Sequence, residues 1–309
     1  MSIVRNILLW SSKNSWLINN VPKYSFVRRA VKRFMPGETI EDAIAAASAL
    51  QSEEISSIFT QLGENVNDLS EAKKVAEHFM DVLQKIEDNK LNAVVSLKLT
   101  QIGLDLSFED ALENFKSIAA KAAELNNDVW IDMEEHSYTD ATIKFFREVK
   151  KDYSNVGICL QAYLYRTEKD IADLLPVSPA IRLVKGAYRE PNDIAMEKKS
   201  DVDINYLKLA KLLLKESKKS GIRVVIATHD AGLIKKVGAY ADEISLPKEN
   251  FEVQMLYGIM NNELRRLAKN GYKTGILISY GSAWFPWYIR RLAERPANVW
   301  FVLKNIFRR

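Results

Sequence analysis

The sequence predicts an α/β fold of the (β/α)8 type, a distorted TIM-like barrel preceded by N-terminal helices. Eight short runs of apolar and β-branched residues alternate with longer segments in which apolar residues recur at helical spacing. This alternation is typical of parallel strands covered by helices, and eight repeats favour a closed barrel over an open sheet. The sequence contains neither a Gly-x-Gly-x-x-Gly fingerprint nor a P-loop, which also argues against an open nucleotide-binding sheet.

Residues 1–53 are predicted to form a helical segment, and residues 54–309 to form the barrel. In the first segment, Thr39 is placed to cap a helix that ends near Leu50, and Asp42 follows it by three residues. The first and seventh of the predicted strands have the weakest pattern. The predicted strands are residues 55–62, 93–99, 129–133, 157–163, 181–184, 222–228, 251–256 and 275–280. The clearest helical segments are residues 71–87, 108–125, 139–149 and 204–219.

Composition indicates a globular protein of the cytoplasm. Hydrophobic residues make up 47% of the 309 residues and charged residues 27%, and no apolar run reaches the roughly 18 residues of a membrane helix. The net charge of +4 is spread along the chain, so nucleic-acid binding is not implied. The single cysteine, Cys159, is expected to be a buried thiol in a reducing compartment.

The two ends of the chain are basic and partly apolar, at residues 28–33 and 299–309. They are compatible with peripheral attachment to an anionic membrane surface. Solvated helix faces are the alternative interpretation.

Polar side chains occur near the predicted carboxyl ends of five strands, which share one face in a parallel barrel and form its functional end. Each has a structural alternative: Lys98 could simply pair with Asp132, Gln161 could bond to the backbone, and His229 could be an ordinary hydrogen-bonding residue. The spacing of histidines and carboxylates does not suggest a metal site. The residues at these strand ends are Lys98, Asp132, Gln161, Tyr163, Arg182, Thr228 and His229.

The segment 180–190 is predicted to be a strand followed by a loop, with positively charged residues in both. Arg182 lies in an apolar run that breaks at Lys185 and Gly186. Glycine permits close approach of the backbone to a ligand, and the two cations suit an anionic cofactor or a developing negative charge. A strand-end turn with two solvated cations is the alternative.

An aromatic segment near the C-terminus carries the adjacent residues Arg290 and Arg291. Two guanidinium groups can grip one carboxylate, and Glu294 is spaced to pair with Arg290 on one helical face. The alternative is a surface helix with a weak ion pair.

Taken together, these motifs resemble the proline dehydrogenase family, whose members are FAD-dependent enzymes on a distorted (β/α)8 barrel. The resemblance covers roughly residues 55–305 and keeps the family's order of motifs. The matching motifs lie at residues 61–64, 96–99, 131–134, 160–164, 182–188, 227–229, 254–258 and 290–294.

The resemblance implies oxidation of L-proline to Δ1-pyrroline-5-carboxylate by a prokaryotic-type enzyme. A monofunctional enzyme is expected, because the chain ends soon after the arginine motif. The resemblance also implies that Lys98, Arg290 and Arg291 bind the substrate carboxylate, with Tyr188 close to the substrate or flavin. Asp132 and Arg182 would be the catalytic residues, with Arg182 near flavin N5. The implied FAD-binding residues are Met133, Gln161, Arg182, Lys185, Gly186, Ala187, Thr228 and His229.

Departures from the family pattern bear on the substrate. Leu277 and Trp287 stand on the substrate side where many members have tyrosine, and Asp230 stands where asparagine often follows the histidine. Hydroxyproline or another cyclic amino acid is therefore the alternative substrate. The expected electron acceptor is a membrane quinone, and a homo-oligomer is compatible with the sequence. A basic, non-enzymatic binding module is the alternative from another class, and it predicts salt-dependent binding to polyanions that survives Arg290→Ala.

Overall fold

Eight parallel strands form a closed barrel in the computed structural model, which describes residues 10–11, 14–24, 31–63 and 65–294. The side chains of Ser15, Asn19, Pro22 and residues 290–294 fall outside that description. The predicted fold class is confirmed, including the two strands with the weakest pattern. The strands are β1 Ser56–Gln61, β2 Ala93–Leu97, β3 Val129–Ile131, β4 Val156–Gln161, β5 Ala180–Val184, β6 Val224–Ala227, β7 Glu252–Leu256 and β8 Lys273–Tyr280.

Helices follow the strands around the barrel, and two of the described α-helices precede the first strand. The helices are α1 Ser15–Asn20, α2 Ile40–Gln51, α3 Leu69–Asp88, α4 Phe108–Glu124, α5 Thr139–Lys150, α6 Thr167–Leu174, α7 Lys199–Ser220, α8 Ala231–Glu243, α9 Asn261–Lys269 and α10 Trp284–Glu294. None of the described helices is long and apolar enough to cross a membrane. The basic residues Arg28 and Arg29 and residues 299–309 lie outside the described part of the chain.

The ring closes between the first and last strands. Strand β1 pairs with β8 in parallel register, from Ser56 opposite Gly275 to Gln61 opposite Tyr280. Because all strands are parallel, their carboxyl ends and the loops after them lie at one end of the barrel. We call this end the mouth of the barrel.

Helix α3 illustrates how the outer layer forms. Asp68 caps its first turn by accepting a hydrogen bond from the Glu71 backbone N–H. Its buried residues include Ala76, Phe79 and Leu83, which recur at three- and four-residue spacing along one face. Each large apolar side chain buried in this way contributes roughly 1.5–3 kcal/mol, so the stripe holds the helix on the sheet.

Helix α2 packs on the barrel although it precedes the first strand. As predicted, Thr39 caps it: the Thr39 hydroxyl accepts from the Asp42 N–H, and the Asp42 carboxylate accepts from the Thr39 N–H. Its residues Ala43, Ala47 and Leu50 are buried in the same core as the strands. The division at residue 53 stays a prediction.

Several strands end earlier than the sequence predicts. Strand β2 ends at Leu97, because the Lys98 N–H bonds to the Gln101 side chain and a 3₁₀ turn, Leu99–Ile102, begins there. Strand β3 ends at Ile131 and β6 at Ala227. Lys98, Asp132 and Thr228 therefore lie just beyond their strands, in the loops at the mouth.

Candidate active site

A cluster of three polar side chains lies inside the barrel, in which Ser96 and Arg182 are buried and Asp132 is half-buried. The Arg182 Nη1 atom donates to Asp132 Oδ1 at 3.0 Å and to the Ser96 hydroxyl at 2.9 Å. The Ser96 hydroxyl donates in turn to Asp132 Oδ1 at 2.7 Å. The Arg182 side chain is only 3% exposed, so the Asp132 carboxylate supplies the opposite charge that such a buried cation requires.

The strands bring these residues together because alternate side chains of a strand face the same side of the sheet. Strand β2 supplies Ser96 and strand β5 supplies Arg182, while Asp132 comes directly after the last residue of β3. The loops after β2 and β3 are tied to each other, since the Glu134 carboxylate accepts from the Thr100 hydroxyl at 2.8 Å.

Some buried polar atoms near this cluster have no hydrogen-bond partner among the described residues. They include Nε and Nη2 of Arg182 and Oε1 of Gln161. Cys159 is paired in register with Arg182, and Gln161 with Val184, so Gln161 lies two residues nearer the mouth. Two donor nitrogens and one acceptor oxygen are thus available to a ligand in the barrel interior. Buried polar groups without partners are costly, and a ligand can supply the missing bonds.

Lys185 forms salt bridges with two carboxylates from later parts of the chain. Its Nζ lies 2.5 Å from Asp203 Oδ1 and 3.1 Å from Asp230 Oδ2. Asp230 also caps helix α8 by accepting from the Gly232 and Leu233 N–H groups. Burial opposes ionisation of both carboxylates, but hydrogen bonds, including those from Lys185, together with the positive charges of Lys185 and Lys199 outweigh it and hold the pKa of each below its usual value.

Gly186 lies where no other residue would fit. Its φ of +114° falls in a region that L-residues rarely adopt, and a Cβ there would meet the ring of Tyr163. Ala187 and Tyr188 come next in the chain and are half-buried. The loop that begins at Lys185 and Gly186 therefore packs against Tyr163, just after the end of strand β4.

Glu190 fastens the same loop from its far side. Its carboxylate accepts from the His136 N–H at 2.9 Å, from the Tyr163 hydroxyl at 3.2 Å, and contacts the His136 ring. The Glu190 side chain is only 3% exposed. Burial, together with the Glu190 charge, raises the pKa of Tyr163 well above its usual value. We call these three residues the Glu190 clasp.

The other residues proposed for cofactor binding come after strands β3 and β6. Met133 and Thr228 are buried, and His229 is half-buried. The Thr228 hydroxyl accepts from the Asp230 N–H at 3.2 Å, which orders the turn into helix α8. Cys159 is buried as expected, and burial raises the pKa of its thiol to about 12.

The substrate-side residues come from three regions. Lys98 is half-buried beyond β2, and its Nζ donates to the Gly63 carbonyl at 3.3 Å. Leu277 lies half-buried in β8, while Trp287 packs in helix α10 against an aromatic cluster that includes Phe34 and Trp284. The side chains of Arg290, Arg291 and Glu294 lie outside the described part, so the expected arginine clamp stays a prediction.

Sequence reasoning missed three residues of this region: Ser96, His136 and Glu190. Ser96 precedes Lys98 by two residues, so strand alternation would have placed both on one face. Nothing local marks Glu190 or His136, because their contact joins residues 54 positions apart. Across the described residues, no group of three or more His, Cys, Asp or Glu side chains could hold a metal ion.

Fold and site together are those of a (β/α)8-barrel enzyme, with charged groups gathered at the carboxyl ends of the strands. The family model "Proline dehydrogenase" matches residues 43–304. The chain belongs to the proline dehydrogenase family.

Curated relatives match along nearly the whole chain. "Proline dehydrogenase 1" of Bacillus subtilis (strain 168) is 38% identical over 307 residues, which cover 99% of this chain and 100% of that protein. "Proline dehydrogenase" of Deinococcus radiodurans is 36% identical over 282 residues, covering 90% of each.

Solved structures share the fold. Proline utilization A from Bdellovibrio bacteriovorus, described as inactivated by N-propargylglycine, superimposes with a TM-score of 0.82 at 23% identity. The match covers 96% of this chain and 36% of that longer chain. This similarity agrees with the barrel fold of the described residues.

Proposed function

We propose that this protein oxidises L-proline to Δ1-pyrroline-5-carboxylate, the first step of proline catabolism, with FAD as its cofactor. Membership of the family and near full-length similarity to named proline dehydrogenases support the reaction. The observation that carries the proposal is the buried Arg182, held by Asp132 and Ser96 while two of its nitrogens lack partners among the described residues.

The residues present fit a flavin. A flavin ring offers hydrogen-bond acceptors and donors along its edge. These match Nε and Nη2 of Arg182 and Oε1 of Gln161, which have no partner in the part of the chain that the structure describes. Gly186 keeps the backbone of its loop free of a side chain next to Tyr163. Met133, Gln161, Lys185, Gly186, Ala187, Thr228 and His229 are the other residues that would hold it.

When bound, FAD supplies the redox chemistry by accepting a hydride equivalent from proline C5. The role proposed for Arg182 is electrostatic, since a fixed cation beside the flavin would stabilise the negative charge of the reduced ring. Asp132 and Ser96 keep this guanidinium in place, and their bonds to Nη1 exist before substrate arrives. The site is therefore preorganised for charge stabilisation.

Substrate orientation is assigned to a separate set of cations. Lys98 lies half-buried at the mouth, and Arg290 and Arg291 come after Trp287 in helix α10. Together they would bind the proline carboxylate and so present C5 to the cofactor, with Tyr188 beside the ring. A bound, oriented ring reacts faster because its positional entropy is already lost.

Leu277 favours proline over hydroxyproline. It is a half-buried apolar residue in strand β8, in register with Leu256 and Ile58. A site that offers no partner to a substrate hydroxyl gains nothing from it and loses its hydration. Comparing turnover of the two substrates tests this choice, and faster turnover of hydroxyproline would contradict it.

The test of the proposed reaction is anaerobic addition of L-proline to FAD-loaded protein while the visible flavin absorbance is monitored. We expect bleaching, and little bleaching at the same proline concentration in the double variant Arg290→Ala, Arg291→Ala, because the carboxylate loses its clamp. The matched control is Arg265→Ala, Arg266→Ala, which removes two adjacent arginines from helix α9 that pair with Glu53 and Glu263. This control should bleach like the parent protein.

An unbleached spectrum in flavin-loaded parent protein would contradict proline oxidation. The same experiment extends to the electron acceptor, which we propose to be a membrane quinone. Adding a soluble quinone analogue to the bleached protein should restore the absorbance. Failure to restore it would argue against a quinone acceptor.

A further inference from the structure

Inside the barrel, two guanidinium groups lie over the ring of Trp130. Trp130 is fully buried in strand β3, with Arg182 Cζ 4.6 Å and Arg223 Cζ 5.3 Å from its ring centroid. Strand register puts Arg182 toward the mouth and Arg223, which precedes β6, toward the opposite end. The face of an aromatic ring attracts a cation, most strongly where water is excluded.

The position of the Trp130 ring is set by its surroundings. Gly157 pairs with Trp130 in register across β3 and β4, and a Cβ on Gly157 would lie 2.5 Å from the ring. Only glycine leaves the ring this space. From the far end, Arg223 is itself held by Asp128 at 2.5 Å and Glu252 at 2.9 Å.

Ser96 and Asp132 contact only one nitrogen of Arg182, namely Nη1. Hydrogen bonds to a single nitrogen leave the guanidinium plane able to tilt about that atom. Contact with the Trp130 ring removes this freedom, because the cation gains most when it lies over the ring. The direction in which Nε and Nη2 are presented therefore depends on Trp130.

We propose that Trp130 is a positioning residue, whose ring fixes the guanidinium of Arg182 so that Nε and Nη2 are presented to the flavin. The inference rests on the proposed role of Arg182 beside the flavin. It assigns Trp130 no contact with substrate or cofactor. Its consequence is that loss of the ring face alters charge stabilisation at the flavin more than it alters substrate binding.

The test compares Trp130→Leu and Trp130→Phe in FAD-loaded protein at equal flavin content. In Trp130→Leu we expect flavin reduction by proline to slow by about ten-fold or more, with KM for proline within about two-fold of the parent. The flavin midpoint potential should fall, because the cation no longer stabilises the reduced flavin. Trp130→Phe keeps a smaller ring, so its rate of flavin reduction and its midpoint potential should lie between those of Trp130→Leu and the parent. This second variant keeps the test valid if the leucine variant misfolds.

Two controls separate the explanations. Arg223→Met should lower thermal stability but leave reduction rate and midpoint potential near those of the parent, because Arg182 keeps its ring contact. If Arg223→Met shifts the potential as much as Trp130→Leu, the effect is general packing and the inference is wrong. If Arg182→Lys changes both readouts while the Trp130 variants change neither, the inference is again wrong but the role of Arg182 stands. If Arg182→Lys itself changes neither, the proposed role of Arg182 fails.

Discussion

Arg182 shows how one residue can combine structural and chemical demands. A buried guanidinium without a partner is costly, and removing one member of a buried ion pair typically costs about 3–5 kcal/mol. Asp132 and Ser96 meet this demand at one nitrogen. They leave two nitrogens without a partner among the described residues, and these are the nitrogens that we propose to contact the flavin.

Ser96→Ala should lower the free energy of unfolding by about 1–2 kcal/mol, because its hydroxyl bonds to both Arg182 and Asp132 in the interior. The direct bond between those two residues remains, so the protein should still fold. Urea denaturation measures the change. The matched control is Ser57→Ala, since the buried Ser57 hydroxyl has no partner among the described residues and its loss should cost little. Equal losses in the two variants would contradict this account of Ser96.

Among the elements, the loop from residue 185 to 198 is held to the barrel by backbone hydrogen bonds near residues 194–196 and by charged side chains at two further places. Lys185 fastens its start to Asp203 and Asp230, and the Glu190 clasp fastens its middle to the loops after β3 and β4. Gly186 and Tyr188 lie between these two attachments. A loop held at both sides can present its residues to a ligand without paying ordering entropy on binding.

Glu190→Gln should loosen this loop, because a neutral amide replaces a carboxylate that accepts bonds from His136 and Tyr163. We expect proteolysis between residues 185 and 198 to become several-fold faster and KM for proline to rise by about three- to ten-fold. Limited proteolysis with mass spectrometry measures the first effect, and steady-state kinetics measures the second. Glu197→Gln makes the same substitution at an exposed position of this loop and should behave as the parent. If both variants are cut at the same rate, the clasp does not hold the loop.

For the whole molecule, the closed ring of strands makes the mouth a single site built from distant parts of the sequence. Strand β8 completes the ring against β1, so Leu277 and the helix that carries Arg290 and Arg291 return to the residues that come after β1. The N-terminal part joins the same end, since the Trp284 indole donates to the Glu38 carboxylate at 3.0 Å. Because the ring is one unit, ion pairs at the mouth, such as that of Lys185 with Asp203 and Asp230, contribute to the stability of the whole molecule.

The stability of the molecule should fall as the pH drops through the acidic range. Burial raises the pKa values of Asp203 and Asp230, but hydrogen bonds and the charges of Lys185 and Lys199 together outweigh burial, so both pKa values are lowered. Carboxylates with a lowered pKa in the folded state stabilise it above their unfolded pKa of about 4, and this contribution is lost as the pH falls through the folded pKa.

Urea denaturation between about pH 7 and pH 3 should therefore show a shallower decline in the free energy of unfolding for Asp203→Asn than for the parent. Asp201→Asn, an exposed position of the same helix, is the control and should keep the parent's slope. Equal slopes for the parent and Asp203→Asn would contradict this assignment.

The sequence by itself determined the class of fold and the face that carries the chemistry. Apolar runs alternating with amphipathic segments specify parallel strands and covering helices, and these patterns are local, so eight strands and the Thr39 cap could be predicted. The polar residues Lys98, Asp132, Gln161 and Arg182 could be placed at the strand ends for the same reason. Their individual roles at the site stay predictions.

Only the tertiary structure decided which of these groups contact each other. The sequence left open whether Asp132 would pair with Lys98, and the structure bonds it to Arg182, 50 residues away, and to Ser96. The sequence contains no sign that the Trp130 ring contacts two guanidiniums or that Glu190 contacts His136. Such contacts depend on strand register and on the direction in which each side chain points across a closed barrel. A shift of one residue in register would reverse every one of those directions, so the final arrangement is a property of the assembled ring.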